Sequence, residues 1–258
     1  MANAYFKVPP AKNEPVLSYA PGTAERTALQ AALADLKSKQ IEIGSFIGGQ
    51  EYLDGDKISM HPPHERNHTL GHFYLGGQDL VHKAIDAAQT AKSDWENMPW
   101  EQRAAIFLRA ADMIAGPYRA QLSAATMLCQ SKNAFQSEID SIAELADFLR
   151  FNVQFLTEIY AQQPESSPTI WNRTEYRPLE GFVFAITPFN FTAIAGNLPA
   201  APAMAGNTVI WKPAESQVYS AGLVMKIFEE AGLPAGVINL VLVDGPKAGE
   251  IIFEHPDF

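Results

Sequence analysis

The chain has 258 residues, 47% of them apolar and 19% charged, with 19 basic side chains against 29 acidic ones and a net charge of −10. That apolar content is enough to offset the ordering entropy of a core, which excludes disorder, and the acidic balance argues against nucleic acid or an anionic membrane as partner. One cysteine, Cys129, excludes a disulfide framework and a thiolate zinc cluster, and Met1 to Lys7 lack the cationic-then-apolar pattern of a secretory signal, so a cytoplasmic location is expected.

Residues 1–22 hold Pro9, Pro10, Pro15, Pro21 and Gly22 and predict an extended arm. Thr23 is placed to N-cap a first helix, with Glu25 in its first turn and Leu29, Ala32, Leu33 and Leu36 on one face. From Ile41 to Tyr52, β-forming residues flank Gly48-Gly49, a two-residue hairpin signal. Residues 54–76 predict loop and short strand. Three helices follow, near 78–95, 100–115 and 118–131, the first with Leu80, Val81, Ala84, Ile85 and Ala88 as its apolar stripe. A longer segment, 134–161, carries Ile139, Ile142, Ala143, Ala146, Leu149, Val153 and Leu156 at helical spacing. After a polar break, Thr169–Leu179 alternates and predicts a strand exposed at a sheet edge. The organisation therefore reads as an arm (1–22), a helical and hairpin part (23–163), an edge strand (164–179) and a final α/β unit (180–258).

The run from Gly181 to Trp211 has 31 residues and no charge, longer than the ~20 that span a bilayer. Its Pro188, Asn190, Asn197, Pro199, Pro202 and Asn207 would leave polar groups unsatisfied in lipid, so no membrane span is expected. A buried strand, turn, helix and second strand explain the same residues. Strands over 182–186, 208–211 and 237–241, with helices between them, give β–α–β–α–β and a parallel, right-handedly wound sheet. Ser216 is placed to cap the second helix, which Gly232 and Pro234 close. Ligands on such sheets sit beyond the carboxyl ends of the strands, here the loops 187–190, 212–215 and 244–246.

The G-x-G-x-x-G fingerprint is absent from the first loop, and Lys212, not an acid, ends the second strand. Lys212 and Glu215 together make a possible ribose-diol pair. Asn190 stands at the end of an apolar strand, where a buried amide without partners would cost about 1–3 kcal/mol. It either pins the turn to its own backbone or donates to a developing oxyanion, a contribution worth about 3 kcal/mol.

Thr187-Pro188-Phe189-Asn190-Phe191, Gly206-Asn207-Thr208-Val209-Ile210-Trp211-Lys212-Pro213-Ala214-Glu215, Ala231-Gly232-Leu233-Pro234 and Gly236-Val237-Ile238-Asn239, in this order, closely resemble the aldehyde dehydrogenase family. Asn190 to Asn197, with Glu138-Ile139-Asp140, Glu144 to Phe148 and Arg150-Phe151-Asn152 upstream, narrow the resemblance to the 1-pyrroline-5-carboxylate dehydrogenase branch, over nearly the whole chain. That branch oxidises L-glutamate γ-semialdehyde to glutamate with NAD in proline breakdown. The resemblance implies an incomplete doubly wound, Rossmann-like NAD-binding domain with amino-terminal helices. It makes Asn190 the oxyanion-hole amide, and lines the nicotinamide-ribose side of the groove with Ile186, Thr187, Pro188 and Phe189. Lys212, Pro213 and Glu215 fall at the adenosine ribose, Gly245 and Pro246 at the adenine, and Glu144 and Phe191 at the semialdehyde site. A carboxylate at Glu144 suits a substrate whose α-carbon bears an ammonium group. The implied partners are a small aldehyde and further copies of the full-length chain.

The family's nucleophilic cysteine lies beyond the third strand, where this sequence has no counterpart, so these 258 residues are expected to be inactive alone. Cys129, on a helix without an adjacent histidine or cationic cluster, reads as a packing residue. His61, His64, His68 and His72 recur at spacings of three and four, but Pro62-Pro63 and Gly71 oppose the helix needed to converge them on a metal. Two other readings stay open. One is a dehydrogenase for a different semialdehyde. The other is a non-catalytic module that binds a nucleotide or a sister subunit through exposed sheet edges.

Overall fold

A computed structural model describes residues 7–258; the first six residues of the expected arm lie outside the described ones. The elements in chain order are α1 (Ala24–Lys37), β1 (Ile41–Ile43), β2 (Ser45–Ile47), β3 (Gln50–Tyr52), β4 (Asp56–Met60), β5 (Gly71–Leu75), α2 (Gln78–Asn97), α3 (Trp100–Ala115) and α4 (Arg119–Gln130). Then come α5 (Ala134–Ser137), a π-helix (Glu138–Glu144), α6 (Leu145–Tyr160), β6 (Val183–Ile186), α7 (Thr192–Met204), β7 (Val209–Lys212), α8 (Val218–Glu230), β8 (Ile238–Leu240) and α9 (Gly245–Ile252). None of the described helices is long and apolar enough to cross a membrane.

The uncharged run folds as its composition requires. β6, β7 and β8 pair in parallel and in sequence order, with Val183 opposite Val209 and Val209 opposite Ile238. Val209, Ile210 and Trp211 are all buried, as expected of a strand covered on both faces. Val209 and Trp211 pack with residues of α3, α4, α6, α7 and α8. Ile210 joins a second cluster with Leu80, Val81, Ile85, Ala248 and Ile252 from α2 and α9. Helices on both faces make this a doubly wound sheet. Gly196 lets α7 approach closely, because a Cβ there would lie 2.8 Å from a Leu145 methyl.

The hairpin belongs to the same sheet. β2 and β3 are antiparallel, joined by Gly48 and Gly49 with φ of 58° and 79°, as a two-residue primed turn demands. β2 also pairs antiparallel with β8, giving the order β3-β2-β8-β7-β6. The buried side chain of Asn239 fastens the turn: its oxygen accepts from the Gly48 N–H at 2.9 Å and its nitrogen donates to the Gly236 carbonyl at 2.8 Å. So the hairpin covers the β8 side, and β3 and β6 are the edge strands of this sheet among the described residues. The region 54–76 supplies two strands, β4 and β5, which with β1 make a separate three-stranded sheet.

Four local expectations need correction. Residues 164–179 contain no strand, only a bridge between Ser167 and Ile170. Among the described residues no neighbouring strand lies alongside to complete a ladder. Side chains hold the segment instead: Gln163 accepts from the Thr174 N–H at 2.8 Å, and Asn172 donates to the Glu165 carbonyl at 2.7 Å. Segment 134–161 is not one α-helix, since seven residues, Glu138–Glu144, adopt the wider π form. Thr23 occupies the N-cap of α1, yet its hydroxyl donates to the Ala20 carbonyl and caps nothing. Ser216 lies inside a 3-10 turn, Glu215–Gln217, that precedes α8.

Candidate active site at the strand ends

The three loops meet at one edge of the sheet. The Thr187 N–H donates to the Lys212 carbonyl at 3.1 Å, extending the β6–β7 ladder into the first loop. The Ser216 hydroxyl, which caps no helix, donates to the Phe189 carbonyl at 3.3 Å and ties the second loop to the first. Gly245 completes the set: a Cβ there would lie 3.6 Å from Cε of Lys212 and 3.7 Å from its Nζ. Lys212 itself ends β7 and is not part of the loop.

The side chains at this edge divide by role. Thr187 is buried, and its hydroxyl accepts from the Trp211 indole N–H at 3.0 Å. Pro213 is buried, Pro188 and Gly245 are half-buried, and Pro246 is exposed. Ile186 and Phe189 remain 56% and 69% exposed, an apolar shelf at the end of β6, an edge strand of the sheet. Water is a poor neighbour for such a shelf, and a planar ring is a good one. The half-buried Lys212 ammonium and the exposed Glu215 carboxylate form no ion pair among the described residues. Two free ends of opposite sign beside an apolar shelf suit a polyhydroxylated ligand that carries rings.

Asn190 departs from its sequence reading in one respect. It is exposed, so no burial cost forces its amide to find a partner. The side chain is not turned onto its own backbone, and no hydrogen bond engages it among the described residues. What is held is its main chain, since the Asn190 carbonyl accepts from Lys132 Nζ at 2.5 Å. The same ammonium bonds Asp140 Oδ2 at 2.5 Å and sits 4.7 Å from the centre of the Phe191 ring. Asp140 in turn accepts from the Thr192 N–H at 3.0 Å and the Ala193 N–H at 2.9 Å. It therefore caps α7 from a distant part of the chain, a favourable place for negative charge.

Glu144 closes the π-helix, half-buried and with no ion-pair partner among the described residues. Burial first, and the nearby Asp140 charge second, hold its carboxyl above the ordinary value of 4.5. An unpaired acid in that position has reason to receive a cation. π-Helical turns occur frequently at functional sites, and this one carries both Asp140 and Glu144.

Lys132 and Asp140 are the residues that sequence reasoning missed. Asp140 had one signal, an acid inside an apolar periodic stretch; Lys132 had none. Cys129 is where its surroundings predict: buried, its thiol pushed up to about 11 by desolvation, and 3.8 Å from the Ser220 hydroxyl. The histidines face separate partners. His61 meets the His68 carbonyl at 2.9 Å, His64 the Ser131 hydroxyl at 2.9 Å and His72 the Glu42 carboxylate at 3.2 Å.

A model of the aldehyde dehydrogenase family matches residues 52–258. A delta-1-pyrroline-5-carboxylate dehydrogenase of Agaricus bisporus is 53% identical over 260 residues, covering 99% of this chain and 47% of that protein. The mitochondrial delta-1-pyrroline-5-carboxylate dehydrogenase of Homo sapiens is 46% identical over 240 residues, covering 93% and 43%. Among solved structures, the Delta-pyrroline-5-carboxylate dehydrogenase of Mycobacterium tuberculosis bound with NAD superposes with a TM-score of 0.98 at 50% identity, over 100% of this chain and 48% of that one. The chain thus spans about half the length of the relatives it matches. With the family model covering most of its residues and its parallel sheet reproducing the solved folds, the chain belongs to the aldehyde dehydrogenase family.

Proposed function

We propose that this chain is the amino-terminal, cofactor-binding part of an NAD-dependent dehydrogenase that oxidises L-glutamate γ-semialdehyde to glutamate. One observation carries the reading: an unengaged Asn190 amide is fixed at the strand-end edge through its own carbonyl, next to a network that leaves Glu144 as the unpaired carboxylate. The names of the relatives agree with that chemistry.

The residues present fit NAD. The Ile186–Phe189 shelf suits the nicotinamide-ribose side, with Thr187 and Pro188 setting the loop's shape. Lys212 would donate to the adenosine ribose and Glu215 would accept from it, on a turn shaped by Pro213, while Gly245 and Pro246 would border the adenine. A phosphate on that ribose would meet the Glu215 charge, which favours NAD over its phosphorylated form. Bound NAD supplies the hydride acceptor. The protein's own work is to hold the aldehyde oxygen near the Asn190 amide, where negative charge grows as a thiolate attacks. Phe191 bounds the aldehyde's chain, and Glu144 receives the α-ammonium. The family resemblance puts the thiolate beyond these 258 residues, and the buried Cys129, which holds its proton, is not a substitute for it. The full-length protein is proposed to be a cytoplasmic homo-oligomer.

The full-length enzyme is expected to form NADH from glutamate semialdehyde, and the 258-residue chain alone to form none. Turnover by the isolated chain, or none by the full-length enzyme, overturns the respective part of the proposal.

Glu144→Gln separates this substrate from other semialdehydes. In the full-length enzyme it is expected to lower kcat/KM for glutamate semialdehyde by about 10- to 100-fold, the worth of one charge-assisted hydrogen bond. An aldehyde without the α-ammonium should be oxidised as before. The same substitution should raise Tm at neutral pH. The folded pKa lies above the unfolded one, so the ionised acid opposes folding, and that penalty disappears once pH falls below both values. The stabilisation should therefore shrink in acid. An unchanged kcat/KM would remove Glu144 from the substrate site.

A further inference from the structure

We infer that Lys132 is a positioning residue for the oxidation, acting on Asn190 through the main chain and keeping Asp140 from competing with Glu144 for the substrate's ammonium group. The inference rests on the reading of Asn190 and Glu144 given above.

Three contacts of one ammonium carry it. Nζ bonds the Asn190 carbonyl and the Asp140 carboxylate, each at 2.5 Å, and lies over the Phe191 ring at 4.7 Å. Asn190 and Phe191 precede α7, whose first two N–H groups are held by the same Asp140. The chain from 190 to 193 is thereby fixed at a carbonyl, a ring and two amides, all through Lys132 and Asp140. That fixes the backbone from which the Asn190 amide projects and leaves the amide itself free to donate, and a fixed backbone is what aims a donor at a reacting oxygen.

The charges point the same way. Asp140 and Glu144 lie four residues apart in the same π-helix, and the ion pair of Lys132 goes to the former. With Lys132 in place, a substrate ammonium meets one unpaired acid. Without it, the buried Asp140 charge is no longer balanced by an ammonium and its field competes with that of Glu144 for the substrate's cation. Ser131, directly before Lys132, holds a left-handed φ of 57°, so the chain leaves α4 sharply just before the lysine that reaches Asn190, 58 positions on in the sequence.

The test is a double-mutant cycle in the full-length enzyme. Lys132→Ala is expected to lower kcat about tenfold, a change of about 1.4 kcal/mol in the barrier. In an Asn190→Ala background it should have little further effect on kcat, because a residue that acts through another loses its influence when that other is gone. Ethylammonium added to Lys132→Ala should restore part of kcat, and Lys132→Arg should retain most of it. Hydrogen exchange of segment 189–193 should quicken in the alanine variant, with a fall in Tm because the buried Asp140 loses its counter-charge, whereas Lys132→Arg should keep both near wild type. Independent, additive losses with no rescue by the amine overturn the positioning role and leave the proposed function standing. If the wild-type full-length enzyme does not oxidise glutamate semialdehyde, the proposed function itself fails.

Discussion

Asn190→Ala in the full-length enzyme is expected to lower kcat by about 100- to 1,000-fold, the loss measured when one oxyanion donor is deleted elsewhere. KM should change much less, because the amide matters where negative charge accumulates and contributes little to a neutral carbonyl. The structure makes this a clean experiment. The side chain is exposed and engages nothing among the described residues, so its removal forfeits no internal hydrogen bond and Tm should not move. Asn190→Asp should fail equally, since a carboxylate has no proton to donate and repels the growing charge. A kcat indistinguishable from wild type in the alanine variant would remove Asn190 from the reaction and with it the basis for assigning Lys132.

The second large effect falls on stability. Glu138 is fully buried and accepts from Arg119, from the Tyr19 hydroxyl at 2.6 Å and from the Leu17 N–H at 2.9 Å. Arg119 also bonds Glu14 at 2.7 Å and the Pro15 carbonyl at 2.9 Å, so one guanidinium joins the arm to the start of the π-helix. Arg119→Met would leave the Glu138 carboxylate buried without its counter-charge, at a cost of about 3–5 kcal/mol. Denaturant unfolding should read this as a large fall in midpoint. Arg150→Met should cost less, because its partners are Glu14, which keeps Arg119, and the exposed Asp112. A loss for Arg119→Met of only about 1 kcal/mol, the worth of an exposed pair, would show that the arm network is loosely held.

Acid dependence offers a check on the same network. Burial alone would raise the Glu14 carboxyl, but its bonds to Arg150 and Arg119 outweigh burial and hold it below the ordinary value of 4.5. A depressed folded pKa gives stability that is complete above the unfolded pKa and is lost as pH falls through the folded one. Arg119→Met removes one of the two guanidinium groups, so this part of the acid-side loss should shrink.

Much of the architecture was legible because its signals are local. Gly48-Gly49 between β-forming residues forecasts a primed turn, and the turn is there with both φ values positive. The uncharged stretch around Val209, Ile210 and Trp211 forecasts a strand covered on both faces, and all three are buried. Thr169–Leu179 misled for the opposite reason. Alternation describes a strand's faces but does not supply a partner, and Trp171 there is 82% exposed.

At the candidate site, the chain's residue types singled out the strand ends proposed to carry the chemistry, since an amide, a lysine and an acid there are recognisable from neighbours a few positions away. Only the tertiary structure decided that Asn190 is held by its carbonyl with its side chain at liberty, that Ser216 serves the first loop in place of capping α8, and that Glu144 is the acid left without a cation. Charges choose partners by distance in space. Separations of 119 positions between Tyr19 and Glu138, or 52 between Asp140 and Thr192, leave no periodic trace in the sequence until packing brings the residues together.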